Sequence, residues 1–252
     1  MHIRRFYLSP ENIAKYSNIM GEDVFYITHV LRMNIGQYIE IFDGSGNNYL
    51  ARIIYISYKI VQIKIIKSLK SDTESLISIT LAQSVLKEKK MDVLIRQLTE
   101  LGIRKWLPFR AKRSIPITSK NKIISKITRW RNISIAAVKQ CHRGIIPQIF
   151  FAKDLDEILT LSKFYDISII LWEKQLPDFK LTCQKHYEPK KILIIIGPEG
   201  GFELDEIERA TAKGFIISSL GPRILRTETA SLVICSIVQY LFGDIGKKHL
   251  TF

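Results

Sequence analysis

The feature that most constrains the fold of this chain is an uninterrupted apolar run that ends in a glycine-rich loop. Residues 192–196 read ILIII, and GPEGG follows directly at residues 197–201. A short strand without polar alternation is typical of the interior of a parallel sheet. Because parallel strands need long crossover connections, this run predicts an α/β domain in which strands and helices alternate.

The pattern along residues 77–242 agrees with this expectation. Apolar residues at helical spacing predict a helix within residues 89–102, and Gly102 can supply the left-handed residue that ends it. The other predicted helices cover residues 122–141, 154–162, 204–213 and 230–242, and the predicted strands cover residues 77–82, 103–109, 167–172, 192–196 and 215–220.

Residues 1–70 follow a different pattern, with short alternating runs on either side of the turn DGSGNN at residues 43–48. Alternation interrupted by turn residues is typical of a meander or a small barrel. A polar stretch, KSLKSDTES at residues 67–75, follows and is the candidate linker. We therefore expect a small β domain followed by a larger α/β domain.

The composition is that of a folded globular protein, with 46% hydrophobic and 25% charged residues. No apolar run approaches the roughly 20 residues of a membrane span, and the N-terminus lacks the apolar core of a secretory signal. We therefore expect a cytoplasmic protein without membrane contact. Cys141, Cys183 and Cys235 include no CxxC pair, which argues against a disulfide framework and against a zinc ribbon. We expect no bound metal.

The charge of the chain is strongly positive and unevenly distributed. Lysine and arginine outnumber acidic residues by 38 to 24, which gives a formal net charge of +14. Residues 104–143 contain many lysines and arginines and no acidic residue. A solvated surface normally mixes both signs, so this basic segment predicts a continuous positive field that suits the phosphates of a polyanion. The alternative is a lysine-rich surface without a partner.

The loop GPEGG is a candidate ligand site. Its three glycines let the backbone approach a ligand closely, and ligands of open α/β sheets bind beyond the carboxyl ends of the strands. A tight turn between strand and helix is the alternative, although a simple turn needs fewer special residues. The chain lacks both the Lys-Ser/Thr pair of a P-loop and a GxGxxG fingerprint, which argues against kinases and nicotinamide enzymes.

A second polar loop lies in SLGPRILRTETA, residues 219–230, before the last predicted helix. It carries Arg226 and Glu228, and we expect it at the same end of the sheet as GPEGG, so the two loops predict a convergent site. Two alternatives remain. In the first, Arg226 and Glu228 form a surface ion pair with each other and have no further role. In the second, Thr227 or Thr229 simply caps the N-terminus of the helix.

These two loops resemble those of the SPOUT methyltransferases, specifically the RsmE-type enzymes that methylate N3 of a uridine in 16S ribosomal RNA. The resemblance extends to HVLRM at residues 29–33, IFDG at 41–44, KKMDVLIRQLTELG at 89–102 and FGD at 242–244. One departure is Lys139 in the sequence KQCHR, where many relatives carry an acidic residue. Any role of that acid cannot be carried over to this chain.

The resemblance implies a PUA-like β-barrel over residues 1–70 that helps to bind RNA. It implies a SPOUT-type α/β domain with a C-terminal trefoil knot over residues 76–246. It further implies S-adenosyl-L-methionine as the cofactor, a homodimer, and the 16S rRNA of the small ribosomal subunit as the partner. The alternatives are a SPOUT enzyme that acts on another RNA position and a ribosome-associated RNA-binding protein without activity; the intact loops argue against the second.

The resemblance also suggests roles for individual residues. The cofactor-binding residues that it implies are Leu171, Trp172, Gly197, Pro198, Glu199, Gly200, Gly201, Leu220, Gly221, Leu225, Thr227, Thr229 and Ala230. In catalysis, we expect Arg226 to stabilise developing negative charge or to hold a phosphate, and Glu228 to accept the N3 proton or only to orient Arg226. The expected RNA contacts are Arg4, Arg32, Lys122, Lys126, Arg129 and Arg143.

Two helices carry further expectations. Lys122, Lys126 and Arg129 fall on one helical face by their spacing of four and three residues, which predicts a stripe that can follow phosphates. The predicted helix at residues 230–242 is apolar on nearly all sides, including Leu232, Ile234, Val238 and Leu241. Such a helix must be covered on more than one side, either within its own domain or by a second subunit.

Overall fold

The computed structural model describes residues 3–70, 73–114, 119–174 and 188–247. These residues fall into two units. The first contains the chain up to residue 74 together with residues 135–146, and the second contains residues 75–134 and the chain from residue 147 onward. The predicted linker is described only in part, since residues 71 and 72 lie outside the described ranges.

The first unit is built on a five-stranded sheet with the strand order β1-β3-β4-β5-β2. The strands are β1 (Arg5–Tyr7), β2 (Tyr16–Met20), β3 (Tyr38–Phe42), β4 (Asn48–Ile56) and β5 (Ile60–Leu69). β1 pairs with β3 in parallel, and the remaining pairs are antiparallel. No pairing joins β1 to β2 among the described strands, so the sheet is a half-barrel and not the closed barrel that we expected.

Alternation along the strands determines which face of this sheet is buried. Side chains that alternate along β3, β4 and β5 point to one apolar core. Its fully buried members on these strands are Ile39, Ile41, Ala51, Ile53, Val61 and Ile63. A short helix α1 (Glu22–Phe25) continues into one π-helical turn (Tyr26–Val30) and contributes Val24 and Ile27 to the same core. The predicted small β domain therefore has a core of its own.

The second unit contains a six-stranded sheet in which all pairs are parallel, with the order β11-β9-β10-β6-β7-β8. The strands are β6 (Ser78–Ser84), β7 (Lys105–Phe109), β8 (Gln148–Ile149), β9 (Ile167–Leu171), β10 (Lys191–Ile196) and β11 (Ile216–Ser218). The apolar run in β10 is buried along its whole length between β9 and β6. This confirms the prediction of an interior parallel strand.

Helices connect these strands. They are α2 (Glu88–Glu100), α3 (Lys120–Cys141), α4 (Leu155–Leu159), α5 (Leu204–Ala212) and α6 (Thr227–Phe242). Gly102 follows the end of α2 with a φ of +85°, which confirms its predicted left-handed role. Reciprocal hydrogen bonds between Glu203 and Glu206 form a capping box at the start of α5.

The core of the second unit lies on both faces of its sheet, because successive side chains of β10 point to opposite faces. Ile194 belongs to one apolar cluster, together with Ile234 of α6. Ile195 belongs to the other, together with Ile207 of α5. The last helix is therefore covered in part by its own unit.

Several elements differ from the sequence prediction, including α1 and its π-helical turn in a region that was expected to contain only short strands. Helix α6 begins at Thr227, three residues before its predicted start, because its polar first turn carries no apolar periodicity. The helix predicted at residues 154–162 is only the five residues of α4, followed by a 3-10 turn at Ser162–Phe164. Strand β8 was missed, since two residues are too few to show alternation.

Candidate active site

A cleft of about 730 Å³ lies beyond the carboxyl ends of β9, β10 and β11 in the second unit. The segments that follow these strands, residues 171–173, 197–202 and 219–227, supply most of its wall, and Lys90 of α2 and Ala230 of α6 complete it. Ligands of open α/β sheets bind at this edge. A cleft of this volume suits one small organic ligand.

The structure brings nearly all of the predicted cofactor residues to this cleft. Those in its wall are Leu171, Trp172, Gly197, Pro198, Glu199, Gly200, Gly201, Leu220, Gly221, Leu225, Thr227 and Ala230. Thr229 is exposed and is not part of the wall. Of the two predicted catalytic residues, Arg226 lines the cleft, and Glu228 lies next to the lining residue Thr227 in the first turn of α6.

Several residues of the wall were missed by sequence reasoning. They are Lys90, Glu173, Ile196, Phe202, Ser219, Arg223 and Ile224. All of these except Lys90 lie within or directly beside the loops that the sequence analysis identified, so their position in the sequence could have predicted that they line the cleft. Lys90 lies 109 residues before Glu199, and no local pattern connects the two.

The glycine-rich loop needs glycine for reasons of its own packing. A Cβ atom on Gly197 would lie 2.9 Å from the ring of Phe202. A Cβ atom on Gly201 would lie 2.6 Å from Glu173 Oε1, and the φ of +69° at Gly201 disfavours other residues as well. The ring of Phe202 at Gly197 and the positive φ at Gly201 therefore favour glycine at these two positions even without a bound ligand.

Gly200 contacts the basic segment instead. A Cβ atom on Gly200 would lie 3.3 Å from Arg113 Cδ, a short contact that a small shift of the Arg113 side chain can relieve. Arg113 donates a hydrogen bond from Nη1 to the carbonyl oxygen of Gly200 at 2.9 Å, and its Nε lies 3.5 Å from Glu203. Arg113 thus connects the segment after β7 to the glycine-rich loop.

Lys90 joins two acidic residues at the cleft. Its Nζ donates to Glu199 Oε1 at 2.5 Å and lies 3.1 Å from Glu228 Oε1. The hydrogen bond to Glu199, followed by that to Glu228, raises the pKa of Lys90 above its usual value. The hydrogen bond from Lys90 lowers the pKa of Glu199 in turn. Lys90 and Glu199 are therefore both charged at neutral pH.

The structure contradicts both alternatives for the second loop, namely the surface pair of Arg226 with Glu228 and the threonine cap. Glu228 pairs with Lys90 and not with Arg226, so the alternative of a surface pair between Arg226 and Glu228 is absent from the described ion pairs. Arg226 is exposed at the N-cap position of α6. Thr227 and Thr229 lie inside the helix, and no side chain caps its first turn, so neither threonine is the predicted cap.

Two buried polar atoms near the cleft have no hydrogen-bond partner in the described part of the chain. They are the indole Nε1 of Trp172 and the carboxylate Oε2 of Glu228. Buried donors and acceptors in folded proteins are almost always paired with protein or water. One donor and one acceptor are therefore left for a ligand or a water molecule.

The acid-free basic segment finds its acidic partners in other elements. Lys112 pairs with Glu203 at 3.0 Å and with Asp205 at 2.8 Å, both at the start of α5. Arg129 pairs with Asp92 of α2. These ion pairs interrupt the continuous positive field that the sequence predicted for this segment.

The other predicted RNA contacts differ in their exposure. Arg4, Arg32 and Lys122 are exposed, and Lys126 is half-buried. Arg32 has a φ of +50°, in the left-handed region that few residues other than glycine adopt. The side chains of Arg4, Arg32 and Lys122 are therefore accessible to a phosphate group.

Two basic residues near the end of α3 form ion pairs inside the first unit. Arg143 is only 3% exposed and donates to Glu74 Oε2 at 3.0 Å. Lys139 donates to Asp23 Oδ1 at 3.0 Å. Burial leaves Arg143 no surface for a phosphate, so the structure argues against the RNA contact that we predicted there.

The described residues contain no cluster of three or more His, Cys, Asp or Glu side chains that could hold a metal ion. Their helices are all too short or too polar to cross a bilayer. Cys141 and Cys235 are not in disulfides, and Cys183 lies outside the described ranges. Burial raises the pKa of the Cys235 thiol to about 12, so this thiol stays protonated.

Two family models match the chain. The model of an RNA methyltransferase domain matches residues 73–239, which is more than half of the chain. The model of an RNA methyltransferase PUA domain matches residues 19–66. The two matches occupy separate stretches of the sequence, in the order that the two-part pattern predicted.

Curated relatives agree with these matches over nearly the full length. A ribosomal RNA small subunit methyltransferase E of Buchnera aphidicola subsp. Acyrthosiphon pisum is 36% identical over 244 residues, which are 96% of this chain and 95% of the relative. The protein of the same name from Bacillus subtilis is 30% identical over 228 residues, which are 88% of this chain and 89% of the relative.

Solved structures agree as well. A protein of Legionella pneumophila in complex with S-adenosyl methionine matches with a TM-score of 0.86 and 31% identity, covering 97% of this chain and all of that one. A ribosomal RNA small subunit methyltransferase E of Neisseria gonorrhoeae, also bound to S-adenosyl methionine, matches with a TM-score of 0.84 and 30% identity over 96% of this chain and 99% of that one. Sequence identity, coverage and fold together show that the chain belongs to the family of ribosomal RNA small subunit methyltransferase E.

Proposed function

We propose that this protein transfers a methyl group from S-adenosyl-L-methionine to N3 of a uridine in the 16S ribosomal RNA of the small subunit. The observation that carries the proposal is the cleft, in which both loops of the family pattern meet. The names of the curated relatives support the class of RNA. The two neighbours crystallised with S-adenosyl methionine support the cofactor.

The cleft fits this cofactor in size and in chemistry. Its volume of about 730 Å³ lies within the range of small-molecule sites. Leu171, Leu220 and Leu225 offer apolar contacts, and the backbone of the glycine-rich loop offers amide groups for the adenosyl portion. The unpaired Nε1 of Trp172 supplies a further donor. When bound, the cofactor supplies an electrophilic methyl group.

The chemistry requires a base and a stabiliser of negative charge. N3 of uracil carries a proton and is a poor nucleophile, so transfer requires loss of this proton and in-line placement of N3. We assign acceptance of the proton to Glu228 through water and not by direct contact, because its Oε2 has no partner in the described chain but is buried beside the wall of the cleft. We assign stabilisation of the charge that develops on the uracil ring to the exposed guanidinium of Arg226. The new bond from N3 to the methyl carbon forms as the bond from that carbon to sulfur breaks.

We also propose the finer features that the resemblance implies. These are a PUA-like RNA-binding domain over residues 1–70, a methyltransferase domain with a trefoil knot over residues 76–246, a homodimer and a cytoplasmic location. The two family models, with their matches at residues 19–66 and 73–239, support the order of the domains. The knot is what the resemblance of the two loops to those of the SPOUT methyltransferases implies.

The proposed reaction is tested in cells with and without the gene. Nucleoside mass spectrometry of purified 16S rRNA should detect N3-methyluridine in cells that carry the gene, and the modified nucleoside should disappear when the gene is deleted. Restoring the parent gene should restore it. An unchanged content of N3-methyluridine after deletion would overturn the substrate assignment, and a loss confined to another RNA would favour the enzyme of different position specificity.

The cofactor site is tested by Gly200→Val. A branched side chain at the wall of the cleft should weaken binding of S-adenosylmethionine about tenfold or more, which corresponds to about 1.4 kcal/mol. Because a Cβ at this position also meets Arg113, the matched control is Arg113→Ala, which we expect to change the affinity by less than about threefold. Isothermal calorimetry measures both; equal affinities for parent and Gly200→Val would contradict the assignment of this cleft.

A further inference from the structure

Among the described residues, Lys90 is the only cation in the wall of the cleft that precedes the glycine-rich loop in the sequence. It lies in the first turn of α2, and its side chain is 33% exposed. From there its ammonium group reaches two carboxylates that belong to different segments, Glu199 of the glycine-rich loop and Glu228 of α6. One side chain therefore ties together three segments that are distant in sequence.

The charges explain why this arrangement depends on Lys90. Glu199 and Glu228 both lie within hydrogen-bond distance of the same nitrogen, so their carboxylates approach each other closely. Like charges at such separation repel, and a cation between them converts the repulsion into attraction. Both hydrogen bonds raise the pKa of Lys90, which keeps the cation in place at neutral pH.

The two oxygens of Glu228 have different surroundings. Oε1 is engaged by Lys90 at 3.1 Å, whereas Oε2 is buried without a partner in the described chain. The ion pair with Lys90 therefore restrains the carboxylate of Glu228 from one side. Thr227, the neighbouring residue in the same helical turn, lines the cleft.

We propose that Lys90 is a positioning residue of this active site, which holds the carboxylate of Glu228 beside the wall of the cleft, for proton acceptance through water, and secures the glycine-rich loop through Glu199. This inference rests on the proposed methyl transfer. The proton leaves N3 and passes to Glu228 through an intervening water, while Lys90 keeps its own protons throughout. Lys90 therefore acts through Glu228 and not on the substrate.

The inference is tested with Lys90→Gln, and Lys89→Gln is the matched control. Lys89 is the preceding residue in the same helix, is exposed, and loses the same charge in its variant. We expect Lys90→Gln to lower kcat about 10- to 100-fold while KM for cofactor and RNA changes less than about threefold, as for loss of support to a proton acceptor. Lys90→Arg, which retains the cation, should recover most of the rate. Lys89→Gln should match the parent.

A double variant separates positioning from a general structural role. If Lys90 acts through Glu228, adding Lys90→Gln to Glu228→Gln should slow the reaction by less than about twofold beyond Glu228→Gln alone. Full additivity of the two effects would overturn the inference, and so would a kcat of Lys90→Gln equal to that of the parent. A rise in KM with kcat unchanged would also overturn it.

A measurement without turnover keeps this inference distinct from the proposed reaction. Hydrogen exchange of the amides in residues 197–203 and 227–230 should be faster in Lys90→Gln than in the parent and in Lys89→Gln, because these segments lose their shared cation. Unchanged exchange would overturn the positioning role. A parent protein that methylates no ribosomal RNA would overturn the proposed reaction, and the exchange experiment would still decide whether Lys90 holds the two segments.

Discussion

At the scale of single residues, adjacent arginines of the same strand segment have opposite surroundings. Arg4 is exposed, whereas the side chain of Arg5 is only 2% exposed. Arg5 donates to the carboxylate of Glu40 at 2.9 Å, to Asn48 Oδ1 at 3.2 Å, and to two backbone carbonyl oxygens within the first unit. The sequence analysis predicted an RNA contact at Arg4 and no role for Arg5, because charge alone does not distinguish a buried arginine from an exposed one.

Replacement of this interior arginine should strongly destabilise the first unit. Arg5→Met leaves Glu40 and several acceptors without their donor, and loss of one partner of a buried ion pair typically costs about 3–5 kcal/mol. Arg4→Met, one residue away and exposed, should change the free energy of unfolding by less than about 0.5 kcal/mol. Urea titration followed by circular dichroism measures both. Equal midpoints for the two variants would show that the network of Arg5 contributes nothing.

At the scale of elements, α3 shows how a helix without acidic residues can still be neutralised in part. Its own sequence offers no counter-charge, and Arg129 takes one from Asp92 of α2, the preceding helix. Asp92 also accepts a hydrogen bond from Trp130 Nε1 at 3.1 Å, so the same carboxylate serves packing as well as charge. Of the predicted stripe, Lys122 is exposed, whereas Arg129 has a partner within the protein.

The two ends of this stripe should therefore contribute differently to RNA binding. Lys122→Gln should reduce the slope of log affinity against log salt by up to about one unit, somewhat less for single-stranded RNA, with S-adenosylmethionine affinity unchanged. Arg129→Gln should reduce the slope less, because its charge is already compensated by Asp92. Filter binding over a range of salt concentrations measures the slopes. A parent-like slope for Lys122→Gln and for the triple Gln variant of Lys122, Lys126 and Arg129 would mean that this face is only solvated.

At the scale of the whole molecule, the chain covers only part of its last helix. Ile234 and Val238, which were part of the argument for a second subunit, are completely buried within the chain itself. The large apolar residues that stay exposed on α6 lie at its C-terminal end, where Tyr240 is 65% and Leu241 is 39% exposed. The case for a homodimer is therefore narrower than the apolar pattern suggested, and it rests on this end of the helix.

A homodimer that uses this surface should be sensitive to a charge placed there. Multi-angle light scattering at micromolar concentration should give twice the chain mass of 29.1 kDa for the parent. Leu241→Asp should shift the protein towards 29.1 kDa, because burying an unpaired carboxylate in an apolar interface is costly. Ile66→Asp, a change of another exposed apolar residue, should leave the mass unchanged. A parent mass of one chain would contradict the homodimer.

The sequence by itself determined the features that are written in short stretches of residues. The interior strand at residues 192–196 and the left-handed Gly102 could be predicted because periodicity and turn chemistry are local. Most of the wall of the cleft followed from the resemblance of contiguous loop motifs to those of a known family. Only the tertiary structure decided which distant charges meet. The partners of Lys90 lie 109 and 138 residues further along the chain, and the order of the strands brings them together. A sequence shows that a lysine is charged, but the fold decides whether that charge faces solvent or a carboxylate, because such contacts depend on packing between elements that share no sequence pattern.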